Sequence, residues 1–235
     1  MRSLLVMLMV IAGQANTLMA HDLDWKNLLI ASLKLRQGLD YDANVDSYME
    51  AFRPDVWKRY RNDEFEMVGK RKETMELMKQ AIAGFSLQET FVVRTSTEFG
   101  NYEFDSKSFP IVGWSESSYF YDSSYPHGSF PSSMSLFLSN PKAVSRIVMD
   151  EAQAKEFVRS RKNSSGNVNR SLYVVLQLRI VKAKSDPGQL LAEIVSCMVY
   201  SDERYTKLIH EFDMVKATAS KDAASKPKTA PKSNP

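Results

Sequence analysis

Residues 170–201 read RSLYVVLQLRIVKAKSDPGQLLAEIVSCMVYS. In the first run Leu172, Val174, Leu176, Leu178 and Ile180 recur at every second position, which on a pleated strand puts all five on one face. A helix would scatter them around its axis. Asp186-Pro187-Gly188 then supplies turn-forming residues, and the second run, LLAEIVSCMVYS, suits an antiparallel partner strand. The stretch predicts a long hairpin in a sheet, whose apolar face the rest of the chain must cover.

Two further stretches have the same period. TFVVRTSTEF and NYEF flank Gly100-Asn101 and predict a hairpin, and MSLFLS alternates through Met134, Leu136 and Leu138. Upstream the period lengthens to that of a helix. HDLDWKNLLIASLKLRQG, residues 21–38, places Trp25, Leu28, Leu29, Ser32 and Leu33 on one face, with Asp22 or Asp24 to cap it and Gly38 to end it. A second helix is expected over residues 43–52, with Val45, Tyr48, Met49 and Phe52 at one-face spacing. Pro54 then opens the longest predicted helix, residues 54–84, on the order of 40 Å at 1.5 Å per residue. Val56, Trp57, Tyr60, Phe65, Val68, Met75, Met78 and Ile82 read as its apolar stripe, with Gly69 at a bend or close contact and Gly84 as a left-handed cap. Asp150 with Gln153 forms a capping-box pattern ahead of Ala154, Phe157 and Val158, and another short helix is expected after Asp202 through Tyr205, Leu208, Ile209 and Phe212.

The fold class is therefore α+β. A helical N-terminal part, residues 22–84, packs on a mainly antiparallel β-sheet, residues 86–213, with short interleaved helices, and residues 21–213 form a single domain.

The ends belong to a different argument. MRSLLVMLMVIAGQANTLMA, residues 1–20, has Arg2, an apolar run too short to span a bilayer, and small residues at Gly13, Ala15 and Ala20. That is the layout of a cleaved secretory leader, with the cut expected after Ala20 and Ala15 the alternative. Removal of the leader leaves no segment for stable membrane insertion, so a periplasmic or secreted protein is expected. Residues 214–235 lack large apolar groups beyond their first two positions, and a disordered Lys/Ala/Pro tail is expected there. The net charge of +3 is largely the tail's: without Arg2 and the five lysines and one aspartate of residues 216–235, the remainder is slightly acidic. Nucleic acid is not an expected partner.

At NDEFE, residues 62–66, together with SFPI around Phe109, SLFLSNP around Asn140 and VYSDE around Tyr200, the chain resembles a family of exported Gram-negative bacterial proteins of unknown function. The resemblance spans residues 41–212. It implies an exported bacterial domain and brings no activity, cofactor or site. NDEFE itself reads as a solvated helix face whose acids precede Lys70, Arg71 and Lys72.

Chemistry-bearing patterns are sparse. GWSES lacks the second glycine of a nucleophile elbow, and no phosphate-binding glycine loop occurs. The single cysteine, Cys197, sits in an apolar run and reads as core. Paired acids, Asp63 with Glu64 or Glu116 with Asp122, are exposed by default. His21, once made N-terminal by cleavage, offers an amine and a ring for copper with a second histidine to complete the site, but this depends on one cut and HDLDW reads as the lead-in to a helix. No cofactor is expected. The strongest candidate is WSESSYFYDSSYPHGSFPSS, residues 114–133, in which Trp114, Tyr119, Tyr121, Tyr125, His127 and Phe130 can line a binding surface. Aromatics also anchor long loops, and Tyr119 and Tyr121 alternate around Phe120 as on an edge strand. The expected function is a non-enzymatic exported binding or accessory protein, whose partner is a protein or glycan of the cell envelope. The alternative is a cell-envelope hydrolase using His127 or His210.

Overall fold

The computed structural model describes residues 20–212 and 214. Apart from Ala20 and Met214, the expected leader and tail lie outside the described residues.

In chain order the elements are β1 (Ala20–Asp22), α1 (Trp25–Leu35), α2 (Tyr41–Phe52), α3 (Pro54–Tyr60), α4 (Glu64–Gly84), β2 (Thr90–Phe99), β3 (Ser108–Val112), β4 (Tyr119–Ser123) and β5 (Ser133–Leu138). A 3-10 turn (Pro141–Val144) follows, then β6 (Arg146–Val148), α5 (Glu151–Ser160), β7 (Ser171–Ala183), β8 (Gln189–Tyr200) and β9 (Leu208–Phe212). The strands form one sheet in the order β4-β5-β8-β7-β2-β3-β6, with β1 beside β2 and β9 beside β8. The β1–β2 and β5–β8 pairings are parallel and the others antiparallel. The fold is α+β.

The β7–β8 hairpin is the centre of the sheet, as its alternation predicts. Leu172, Val174, Leu176, Leu178 and Ile180 are buried, as are Leu190, Ala192, Ile194, Cys197 and Val199 on the partner. Helix α1 lies on this face, against β4, β5, β7 and β8, and buries Trp25, Leu28, Leu29 and Leu33. Each fully buried leucine contributes about 1.5–3 kcal/mol. Helix α4 joins α1 through Lys34, whose ammonium donates to the carbonyls of Ile82 (3.1 Å) and Ala83 (2.9 Å) and so satisfies the last turn. Helices α2 and α4 are tied by Arg53, which donates to Thr74 Oγ1 (2.8 Å) and Glu73 Oε1 (2.6 Å).

A polar side chain completes the sheet between two strands. Strands β5 and β9 occupy the same edge of β8, one pairing as far as Ala192 and the other from Cys197. In the gap, the Asn140 amide donates to Ile194 O (3.1 Å) and its Oδ1 accepts from Ile194 N–H (2.7 Å). Asn140 thus stands in for one residue of a missing strand.

Several expectations are corrected. The long helix breaks between α3 and α4, because the Asp63 carboxylate accepts from Phe65 N–H (3.2 Å) and Glu66 N–H (3.0 Å) and starts a new helix. NDEFE is thus a capped helix start, and its residues are all exposed, as the reading as a solvated face expects. The predicted stripe does not hold as one face: at 3.6 residues per turn Phe65 lies about 140° from Met78. Only Thr74, Met78 and Ile82 of α4 are buried, while Phe65 is 88 % and Val68 70 % exposed. Gly84 remains in the helix and is not left-handed, and Phe85 forms the cap in an extended conformation. Gly69 makes no close contact, since an added Cβ there meets nothing within 4 Å. Gly69→Ala is therefore expected to raise stability by about 0.5–1 kcal/mol, read as an increase in the urea midpoint. A decrease would show that a neighbour packs against Gly69.

Strand β2 pairs with β3, not with NYEF, which contributes only a bridge from Glu103 to Ser108. Gly100 N–H donates to Pro110 O (2.8 Å), and Pro110 lies so close that a Cβ on Gly100 would sit 2.7 Å from its ring. The segment after Asp202 is not a helix. The Asp202 carboxylate accepts from the N–H groups of Thr206 and Lys207, and Tyr205 turns to φ 55°. The chain then runs as β9, which satisfies the β8 edge from Cys197 to Tyr200.

Candidate functional site

The aromatic–serine segment divides into an exposed strand and an anchored loop. Strand β4 alternates: Tyr119 and Tyr121 point outward, 51 % and 64 % exposed, while Phe120 and Asp122 face the helices. A carboxylate on the inner face needs a partner, and Asp122 finds one 97 residues away. Its Oδ2 accepts from Trp25 N–H (2.7 Å) at the first residue of α1. With Asp24, whose Oδ1 accepts from Asn27 N–H (2.8 Å), it provides the α1 N-terminus with two carboxylates. Trp25 also donates from Nε1 to Pro131 O (2.8 Å), so a single residue holds both ends of the loop that follows.

That loop, residues 124–132, is packed down. Phe130 is 6 % exposed and joins the core, and Ser129 N–H donates to Ser47 Oγ on α2 (2.9 Å). The His127 ring lies 5.3 Å from that of Trp25, and its Nε2 is 3.0 Å from Ser124 Oγ. His127 Nδ1 is buried without a hydrogen-bond partner. His127 and Phe130 therefore act as anchors. Tyr125 is 86 % exposed at the start of the loop.

On the outer face Tyr119 lies 6.2 Å from Tyr121 and 5.0 Å from Phe137 of β5, ring to ring, and the Lys184 ammonium sits 3.6 Å over the Phe137 ring. Beside this strip a surface hollow of about 290 Å³ is lined by Gly113, Trp114, Ser117, Ser118, Tyr119, Phe120 and Leu138. Its lining combines aromatic faces with hydroxyls and carries no charge. Of the predicted surface, the structure brings together Trp114, Tyr119 and Tyr121, leaves Tyr125 beyond the strand, and commits His127 and Phe130 to packing. Phe137 and Lys184 were not singled out from sequence. In MSLFLS, Phe137 occupies the outward position where a polar residue is expected, and that was the available signal.

The other candidates are spent elsewhere. His210 lies on β9 with its ring edge-on to Phe212 at 4.6 Å, and burial lowers its pKa. Cys197 is fully buried and burial pushes its thiol up to about 12, so it is no nucleophile at neutral pH. His21, in β1, stacks on Phe85 at 4.7 Å with Nε2 facing Glu89 at 2.7 Å, off the line of a hydrogen bond. No group of three His, Cys, Asp or Glu side chains is arranged to hold a metal among the described residues. Glu116 pairs with Lys142 (3.4 Å) away from Asp122, and Asp63 caps α4. Among the described residues no helix is long and apolar enough to cross a membrane.

Residues 40–160, more than half of the chain, match the family described as Domain of unknown function (DUF4852). The chain belongs to this family. The matched part runs from the Asp40 cap of α2 to the end of α5 and so contains the whole of β4, the anchored loop and Asn140. NDEFE, SFPI and SLFLSNP fall inside it, while VYSDE and the β7–β8 hairpin lie beyond. No curated protein and no solved structure matches the chain.

Proposed function

We propose that the protein is a non-enzymatic binding or accessory protein of the periplasm or the extracellular space, which engages a protein or glycan of the cell envelope through Trp114, Tyr119 and Tyr121. The observation that carries this reading is the outward placement of Tyr119 and Tyr121 beside an uncharged hollow, while the histidines and the cysteine are buried or packed. Exposed rigid aromatics provide contact area at low entropic cost, and the neighbouring serines provide adaptable hydrogen bonds. The leader-like residues 1–20 support a site of action outside the cytoplasm. The rival, an envelope hydrolase, draws on the Ser124–His127 contact. Its weakness is His127 Nδ1, which lacks the carboxylate that orients a general base in such dyads.

The test is a paired one. The protein and its Tyr119→Ala/Tyr121→Ala variant are used to capture envelope proteins and glycans. Because both rings are exposed, the variant should lose no more than about 1–2 kcal/mol of stability. It is expected to lose the captured partner while still folding. Equal capture by both forms, or a variant that no longer folds, would reduce the tyrosines to packing. Recovery of the native protein from the cytosol with Met1 attached would end the exported part of the reading.

A further inference from the structure

The hydrogen bonds at the two ends of β4 fix the direction of every main-chain group within it. Leu138 N–H donates to Ser118 O (3.2 Å) and Ser124 N–H donates to Ser132 O (2.8 Å). In an antiparallel ladder the bonded positions alternate, so Phe120 and Asp122 turn both their N–H and C=O groups toward β5, as Ser118 does its C=O and Ser124 its N–H, while Ser118 N–H closes a turn onto Ser115 O (3.0 Å). Tyr119, Tyr121 and Ser123 turn theirs away, to the open edge of the sheet. Among the described residues no hydrogen bond from another segment reaches them. The usual protections of an edge are lacking. Strand β4 contains no Lys, Arg or Pro, its register with β5 has no bulge, and its one charge, Asp122, is turned inward onto α1. The opposite edge is guarded differently: β6 is three residues long and carries Arg146, paired with Glu103.

A row of donors and acceptors at two-residue spacing is matched by another extended backbone, and we propose that the occupant is β4 of a second copy, so that two sheets join across a two-fold axis at Tyr121. One antiparallel register alone pairs all three outward residues: Tyr121 with the partner's Tyr121, and Tyr119 with the partner's Ser123. It forms about six hydrogen bonds across the axis. No like charges oppose each other in it, since the strand's outer face bears none. Just outside the paired strand, Tyr125, 86 % exposed, follows β4 at one end and Ser117, a residue lining the hollow, precedes it at the other. The joined strips of Tyr119, Tyr121 and Phe137 form one aromatic band across the dimer. This assembly does not depend on the identity of any ligand.

The main-chain directions dictate the variants. Proline at position 121 removes an outward N–H and no bond to β5, a substitution that edge strands tolerate. The purified protein is expected to show twice the chain mass by light scattering over a dilution series, and Tyr121→Pro to show the single mass. In a second measurement Tyr121→Cys should form a disulfide-linked dimer under mild oxidation, because directly bonded antiparallel positions have Cα atoms about 5.5 Å apart, within disulfide range. Val148→Cys, exposed on the other edge, should not, and the buried Cys197 does not interfere. A single-mass wild type, a dimeric Tyr121→Pro, or cross-linking of Tyr121→Cys no better than Val148→Cys overturns the proposal. The Tyr119→Ala/Tyr121→Ala variant keeps its main chain and should stay dimeric, so loss of the envelope partner and loss of the dimer are read separately.

Discussion

Asn140→Ala is expected to lower the unfolding free energy by roughly 2–5 kcal/mol, the cost of leaving two buried main-chain groups without partners. Ile194 is almost completely buried, and both its N–H and its C=O are satisfied by the Asn140 amide at the point where β5 stops and β9 has not begun. For a domain of this size the loss corresponds to a drop in melting temperature on the order of 10 °C. Asn140→Asp makes the test sharper. Its carboxylate still accepts from Ile194 N–H but cannot donate to Ile194 O, and it places a negative charge beside that carbonyl. Its folded-state pKa is therefore raised above the unfolded value. The penalty is complete where the carboxylate is ionised and shrinks as pH falls through the folded pKa, because the protonated acid donates as the amide did. Measured against wild type at each pH, the gap should narrow on acidification. A gap that stays constant or widens would show that Asn140 matters for packing alone.

Within MSLFLSNP the burial of Met134, Leu136 and Leu138 is legible in the sequence, because period-two alternation is a local property of the pleat. The function of Asn140 was invisible, since it bonds a strand 54 residues away whose edge is vacant only in three dimensions. Local signals did well elsewhere: the Asp150–Gln153 capping box is formed, and Leu172 through Ile180 line the core. They failed where two periods coincide. Leu208, Ile209 and Phe212 fit a helix, but Leu208, His210 and Phe212 also alternate, and the unpaired end of β8 decided for the strand. Gly100-Asn101 resembled a hairpin turn, yet the β2 partner is the next extended stretch, because Pro110 packs against Gly100. At the candidate site the alternation of Tyr119 and Tyr121 around Phe120 was readable. Which of the two faces would be exposed was not, because it depends on the bond between Asp122 and Trp25 across 97 residues.

Gly128→Ala is expected to cost about 2–4 kcal/mol, combining a left-handed backbone that disfavours a side chain with a steric clash against a helix. Gly128 has φ +54°, and a Cβ there would fall onto Ser47 Oγ, 3.1 Å from Ser47 Cβ and 3.4 Å from its Cα. Two contributions are involved, and a double-mutant cycle separates them. Ser47→Ala alone loses the bond from Ser129 N–H and should cost about 1 kcal/mol. In that background the hydroxyl is gone, so Gly128→Ala should pay mainly for backbone strain, leaving a coupling of about 1–2 kcal/mol between the two sites. Equal costs of Gly128→Ala in both backgrounds would remove Ser47 from the account, and a wild-type melting temperature would remove the close packing altogether. The consequence reaches the candidate site. Residues 124–132 link β4 to β5, and they lie flat because Gly128 lets the loop meet α2 and Phe130 enter the core. Lifting that loop loosens the Trp25–Pro131 bond while leaving the Tyr119–Phe137 contact within the sheet. The variant should therefore become more sensitive to proteolysis between β4 and β5 before it loses the aromatic strip, which the β4–β5 ladder holds in place.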